Sequence, residues 1–102
     1  MQVTRWSGSS APTEAALLRG LEVEGRTSYR WTNPAGYAYA EHTHIYKKTL
    51  VVVKGSISFT IFPEAEVVEL RAGDMIVVEP GIRHTALVGD EGVSCIEAHD
   101  QK

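Results

Sequence analysis

Two histidines one residue apart, His42 and His44, are the residues most suited to chemistry in this chain. In an extended strand, residues i and i+2 point to one face, with Cα atoms roughly 6.6 Å apart. Two imidazoles at that spacing can converge on one ion at about 2.1 Å from each nitrogen. A third ligand must come from elsewhere. His84 is the best candidate, because it follows a Pro80-Gly81 turn with a strand-like run, Met75 to Glu79, just before it. Three imidazoles suit one divalent ion of Fe, Mn, Ni, Cu or Zn. His99, near the C-terminus, reads as a satisfied or exposed side chain.

Lys48 is the discordant residue. Counted in steps of two from His44, it falls on the same inner face. An ammonium about 5 Å from a dication, at an effective dielectric near 20, feels roughly 6–7 kcal/mol of repulsion. Four arrangements are open. Lys48 snorkels outward, pairs with an anion bridging it and the metal, loses its proton, or stands in a protein that holds no metal. A three-histidine metal beside a cation would seat a carboxylate or enolate, since both charges attract the same anion. Lys48 and Tyr46 are therefore the candidate catalytic residues. Tyr46 offers an acid, a base or a hydrogen-bond donor, against the plainer reading of a packed aromatic. Arg83 is a possible bidentate clamp, against a surface residue. Glu97 is the candidate fourth ligand: if Gly89–Gly92 is a four-residue hairpin loop, Glu97 faces His84 and shares its face. Glu41 faces away, and Cys95 reads as a small buried hydrophobe.

The elements that must position these groups are mostly strands. Leu50 to Val53 is an apolar β-branched run that can only be a buried strand. Thr27, Tyr29 and Trp31 alternate with polar residues, as a half-buried strand does. Tyr37 and Tyr39 alternate with Ala38 and Ala40. An unbroken strand into His42 puts the alanines inside and the tyrosines outside. Lys54-Gly55 reads as a hairpin leading to Ile57, Phe59 and Ile61. Val67–Leu70, Met75–Val78, a strand from His84 and a last strand from Val93 to His99 follow, separated by turns. Ahead of them, Met1–Trp6 reads as a short edge strand. Ser10-Ala-Pro-Thr-Glu starts a short helix, Ala11 to Arg19, that Gly20 stops.

These residues resemble the cupin family. Its first motif, G-x-x-x-x-x-H-x-H-x-x-x-E-x-x-x-x-x-x-G, is matched by Gly36, His42, His44 and Gly55, with Lys48 at the glutamate position. Its second, G-x-x-x-x-x-P-x-G-x-x-H-x-x-x-N, is matched by Gly73, Gly81 and His84. Glu79 stands at the proline position, Pro80 follows it, and Val88 replaces the asparagine. The resemblance implies an all-β double-stranded jelly-roll barrel of two antiparallel sheets around a pocket, with one short N-terminal helix. It also implies a metal-dependent oxygenase, isomerase or lyase acting on a small anionic molecule. The other reading is a non-catalytic ligand-binding or sensor module whose metal site is structural or vestigial, since the fold selects no reaction.

Composition sets the bounds. A chain of 102 residues is expected to form one domain, an arm and helix to about residue 20 and a barrel to about 100. A net charge of −3 offers no basic footprint for nucleic acid. One cysteine excludes an internal disulfide and a Cys-based zinc motif. No stretch reads as a secretory signal or membrane span, so a cytoplasmic location is expected. A homodimer is expected too. Tyr37 and Tyr39, with Thr49, Val51 and Val53 of the next strand, would give an outer sheet face too apolar for a monomer.

Overall fold

The structure, a computed structural model, describes residues 1–22 and 28–100. Seven strands and one helix follow in the order β1 (Gln2–Thr4), α1 (Glu14–Glu22), β2 (Ser28–Asn33), β3 (Ala38–His42), β4 (Lys47–Ile61), β5 (Glu66–Arg71), β6 (Met75–Val78) and β7 (His84–Asp100). Thr27, read together with Tyr29 and Trp31, lies outside the described residues.

Two long strands organise the barrel. β4 and β7 run antiparallel along their whole length, from Lys47 opposite Asp100 to Ile61 opposite His84. The first half of β4 lies between β6 and the second half of β7, with β1 and β2 at the edges. The second half of β4 lies between β5 and the first half of β7, with β3 beyond it. Each long strand therefore passes from one layer to the other. The expected hairpins at Lys54-Gly55 and Gly89–Gly92 do not exist, because the chain bends at both places without reversing.

The bends have a packing cause. Along β4, Lys48, Leu50 and Val52 are buried inward before the bend, and Ile57, Phe59 and Ile61 after it. The inward phase thus changes from even to odd positions. β7 makes the complementary change: His84, Ala86 and Val88 are buried before its bend, and Val93, Cys95 and Glu97 after it. The pairing register shifts at the same place, between Val52 and Ile57. An extra residue flips the face of every later side chain. Two flips at one crossing keep both halves facing the same core. Gly55, at φ 82°, permits the crossing: a Cβ there would lie 2.0 Å from the Gly92 carbonyl oxygen.

The helix covers the outer face of this crossing strand. Thr13 caps it, its Oγ1 accepting from the Ala16 N–H at 3.2 Å. Leu17 and Leu18 pack over Val51 and Ile96, with Val53 and Met75 beside them. The helix therefore starts later than expected, runs through Gly20, and buries the outward positions proposed for a two-fold contact. Tyr39 is also lost to that contact. A bulge between Tyr39 and His42 shifts β3 against β7, so Tyr39 turns inward against the core while Ala40 is exposed. Tyr37 stays outside, 45 % exposed. The N-terminal strand pairs with β6 of its own chain. Arg5 reaches Asp74 at 3.0 Å, and Asp74 Oδ1 accepts from the Trp6 N–H at 2.9 Å. Among the described residues no helix is long and apolar enough to cross a membrane.

Candidate metal centre

Three separate elements deliver the three histidines. His42 ends β3 and pairs directly with His84, the first residue of β7. Directly paired residues share a face, so the two rings meet, with centroids 4.4 Å apart. His44 lies in the short loop before β4. The Gly81 N–H donates to its carbonyl at 2.9 Å, tying that loop to the turn before His84. Its ring stands 4.8 Å from that of His42 and 5.2 Å from that of His84. One nitrogen from each ring falls within 4.8 Å of the others.

The backbone fixes which nitrogen faces inward. His42 Nδ1 lies 2.7 Å from the Ala40 carbonyl, and His84 Nδ1 2.9 Å from the Ile82 carbonyl. A carbonyl only accepts, so Nδ1 carries the hydrogen in both rings and Nε2 keeps its lone pair. The Nε2 atoms of His44 and His84 are buried without any hydrogen-bond partner. Burial lowers the His44 pKa to about 4, helped by the Lys48 ammonium and the other two imidazoles. His84 is lowered as well, chiefly by burial. Neutral imidazoles with orphaned inward lone pairs are what a divalent transition metal requires. The donor set fits the ion.

A cavity of about 320 Å³ opens beside the cluster. Ile57, Phe59 and Ala86 make its apolar side, while His42, His44, Tyr46, Lys48 and Glu97 make its polar side. Lys48 points inward, as its phase requires, with only 10 % of its side chain exposed. It lies above the Phe59 ring, 5.6 Å from the centroid, and 3.6 Å from Glu97. That is a fifth arrangement, in which the chain itself supplies the anion. Tyr46 is stacked between His44, 4.6 Å away, and His99, 3.8 Å away, and it lines the cavity.

Glu97 faces inward too, but by another route than the expected hairpin. It pairs with Tyr29 on one side and Leu50 on the other. Its carboxylate accepts from Tyr29 at 2.8 Å and Trp31 at 2.9 Å, and contacts His99 Nε2 at 2.5 Å. It stands outside the three-histidine group. Burial alone would raise its pKa, yet Lys48 and the three donors outweigh that and hold it below the usual carboxylate range. Reading residues singly missed this hub, although Glu97 and His99 show the same i, i+2 spacing that marked His42 and His44. Arg83 is a surface residue paired with Glu41 at 2.9 Å. Cys95 is fully buried, which pushes its thiol up to about 12.

Comparison with known proteins agrees with this fold. No curated protein matches the sequence. Among solved structures, a variant of oxalate decarboxylase from Bacillus subtilis superposes with a TM-score of 0.67 at 21% identity, over 72% of this chain and 20% of that one. This chain thus spans a fifth of that enzyme, whose Mn(II) centres are the subject of another similar structure. KdgF from Halomonas sp. gives 0.66 at 19% identity, over 76% and 69% of the two chains. An RmlC-like cupin from Shewanella frigidimarina gives 0.65 at 21%, over 76% and 67%. These likenesses show the fold. The cupin-domain family model matches residues 29–98, from the strand that reaches Glu97 to the end of the barrel, so the chain belongs to the cupin family.

Proposed function

We propose that the protein is a metal-dependent cupin enzyme, of oxygenase, isomerase or lyase class, acting on a small anionic molecule. His42, His44 and His84 hold one divalent transition metal. The observation that carries this reading is the pair of buried Nε2 atoms, on His44 and His84, with no partner. Leaving such atoms unsatisfied costs about 1–3 kcal/mol each, which a metal bond removes. When bound, the metal supplies a Lewis acid with positions left open for a substrate. Lys48 offers the substrate a cation, and Tyr46 offers a hydroxyl beside the His44 ligand. Oxalate decarboxylase is by name an enzyme of a small carboxylate, which agrees with the class. Elemental analysis of protein purified without chelator tests the metal, and oxygen uptake or product analysis with a panel of small acids tests the activity. Protein carrying no transition metal overturns the reading.

A specific observation favours a binding module as the second reading. Lys48 and Glu97 are paired with each other, so the two do not form a separated acid–base pair in the cavity. Acids that bind and are recovered unchanged would select it. A cytoplasmic homodimer completes the proposal. Tyr37 and Leu87, both exposed, are apolar positions left for its contact. Light scattering over a dilution series tests it, and a mass near 11.2 kDa throughout excludes it.

A further inference from the structure

The cavity beside the three histidines has two unlike ends. His42 pairs with His84 on one rung of the barrel, and Tyr39, Ala86 and Phe59 form the next rung along β7, roughly 7 Å away. Ile57, opposite Val88, stands one rung further, roughly 13 Å from the His84 rung. Phe59 joins the two ends. Its ring centroid lies 6.2 Å from that of His84 and 5.6 Å from Lys48 Nζ. Trp31 meets Tyr39 edge to face, with ring centroids 6.0 Å apart, and both rings line the cavity.

Most polar atoms of this wall are already engaged by the protein. The Tyr29 hydroxyl and the Trp31 indole N–H donate to Glu97 at 2.8 and 2.9 Å, and the Asn33 amide donates to the Tyr39 hydroxyl oxygen. Glu97 also has His99 on Oε2 and Lys48 near Oε1. A ligand hydroxyl would find the Glu97 oxygens taken, and burying it unpaired weakens binding. Lys48 differs. Its 3.6 Å to Glu97 exceeds the length of a hydrogen bond, and it makes none with the described residues. Its N–H donors are available at the histidine end. Ring and aliphatic carbon cover the other end.

We propose that the cavity takes a monocarboxylate with a ring-sized apolar body. The carboxylate sits at the end that Lys48 shares with the histidines, and the body lies on Phe59, Tyr39 and Trp31. A volume of about 320 Å³ is at the small end of ligand pockets, which suits one ring rather than several. A two-carbon dianion would leave the apolar wall wet. It would also set its second charge against ring carbon with no partner, which is costly. The inference rests on the anionic-ligand part of the proposed function and adds the body of the ligand to it.

Calorimetric titration of the protein as purified with sodium benzoate, acetate, oxalate and gluconate tests the site. Benzoate should bind at least about tenfold more tightly than the other three, a gain that burying about 55 Å² of apolar surface supplies. Ala86→Leu builds a larger side chain into the space for the body. It should lose at least about tenfold in benzoate affinity, with metal content unchanged. In the wild type, the ring current of bound benzoate should shift the indole resonances of Trp31. Those of Trp6, which does not line the cavity, should stay in place. Acetate, oxalate or gluconate binding as tightly as benzoate, unmoved Trp31 resonances, or benzoate binding unchanged in Ala86→Leu overturns this inference alone. Benzamide carries the same body without the charge and separates the two readings. Benzamide bound as tightly as benzoate, or no binding of any of the four salts, overturns the anionic-ligand reading and this inference with it.

Discussion

Lys48 Nζ and Glu97 Oε1 lie 3.6 Å apart in the barrel, with 10 % and 6 % of their side chains exposed. Lys48 pairs with His99 and Leu50 with Glu97, so the two charges meet on the diagonal of one sheet face. A carboxylate fixed beside the ammonium offsets its charge close to the three histidines. The pair follows from the lysine standing at the glutamate position of the family motif. Removing one member leaves the other buried and unpaired, at a cost of about 3–5 kcal/mol. Glu97→Gln is expected to lose that much in denaturant unfolding. Adding Lys48→Met should recover most of it. A double variant as unstable as Glu97→Gln would mean that Glu97 acts through Tyr29 and Trp31 instead.

The same pair changes what a restored glutamate does. Lys48→Glu alone sets two carboxylates against each other and removes the cation that faces Glu97 Oε1. Lys48→Glu with Glu97→Gln avoids that clash and offers the histidines a fourth ligand. Metal affinity in the double variant should rise at least tenfold, about 1.4 kcal/mol. An unchanged affinity by competition with a metal-binding dye would show that residue 48 does not reach the ion.

His84→Ala removes one of the two orphaned nitrogens and the ring that pairs with His42. Elemental analysis should find its metal content well below that of the wild type. Equal content in both would take His84 out of the site.

The histidine trio was legible because its signals are local: an i, i+2 spacing and a Pro-Gly turn just before the third residue. Directions that depend on a bulge were not. Tyr39 looked outward by simple alternation, and one irregularity before His42 turned it in. Lys54-Gly55 and Gly89–Gly92 have the composition of hairpin turns. Glycine serves a tight crossing of two strands as well as a reversal, and local sequence does not distinguish them. The cover over Val51 is hidden from the sequence for another reason. Two adjacent leucines, Leu17 and Leu18, suffice when the patch is narrowed to Val51 and Ile96.

Asp74 should govern part of the acid limb of stability. Burial would raise its pKa, but the N–H groups of Arg71 and Trp6 and the Arg5 guanidinium outweigh burial and lower it. A carboxylate depressed in the folded state adds stability above its unfolded pKa of about 3.9, and loses it as pH falls through the folded value. The stability difference between wild type and Asp74→Asn should therefore be largest near neutral pH and shrink below about pH 4. A difference that stays constant down to pH 2 would mean that the charge of Asp74 contributes nothing.

Gly55 and Gly81 share a positive φ of 82°, which separates two costs of adding a side chain. In that region a Cβ costs roughly 1–2 kcal/mol from local sterics alone. At Gly81 the added carbon meets nothing within 4 Å, so Gly81→Ala should cost about that and no more. At Gly55 it would come 2.0 Å from the Gly92 carbonyl oxygen and 3.1 Å from the Val93 Cα. Backbone atoms of β7 cannot rotate away as a side chain does, so β4 and β7 must separate where both cross between layers. Gly55→Ala should therefore cost at least twice as much as Gly81→Ala in denaturant unfolding. Strain at the crossing also reaches the cavity, since Ile57, two residues from Gly55, lines it. Equal losses in the two variants would show that the crossing has room for a methyl group, and that Gly55 is needed for its φ alone.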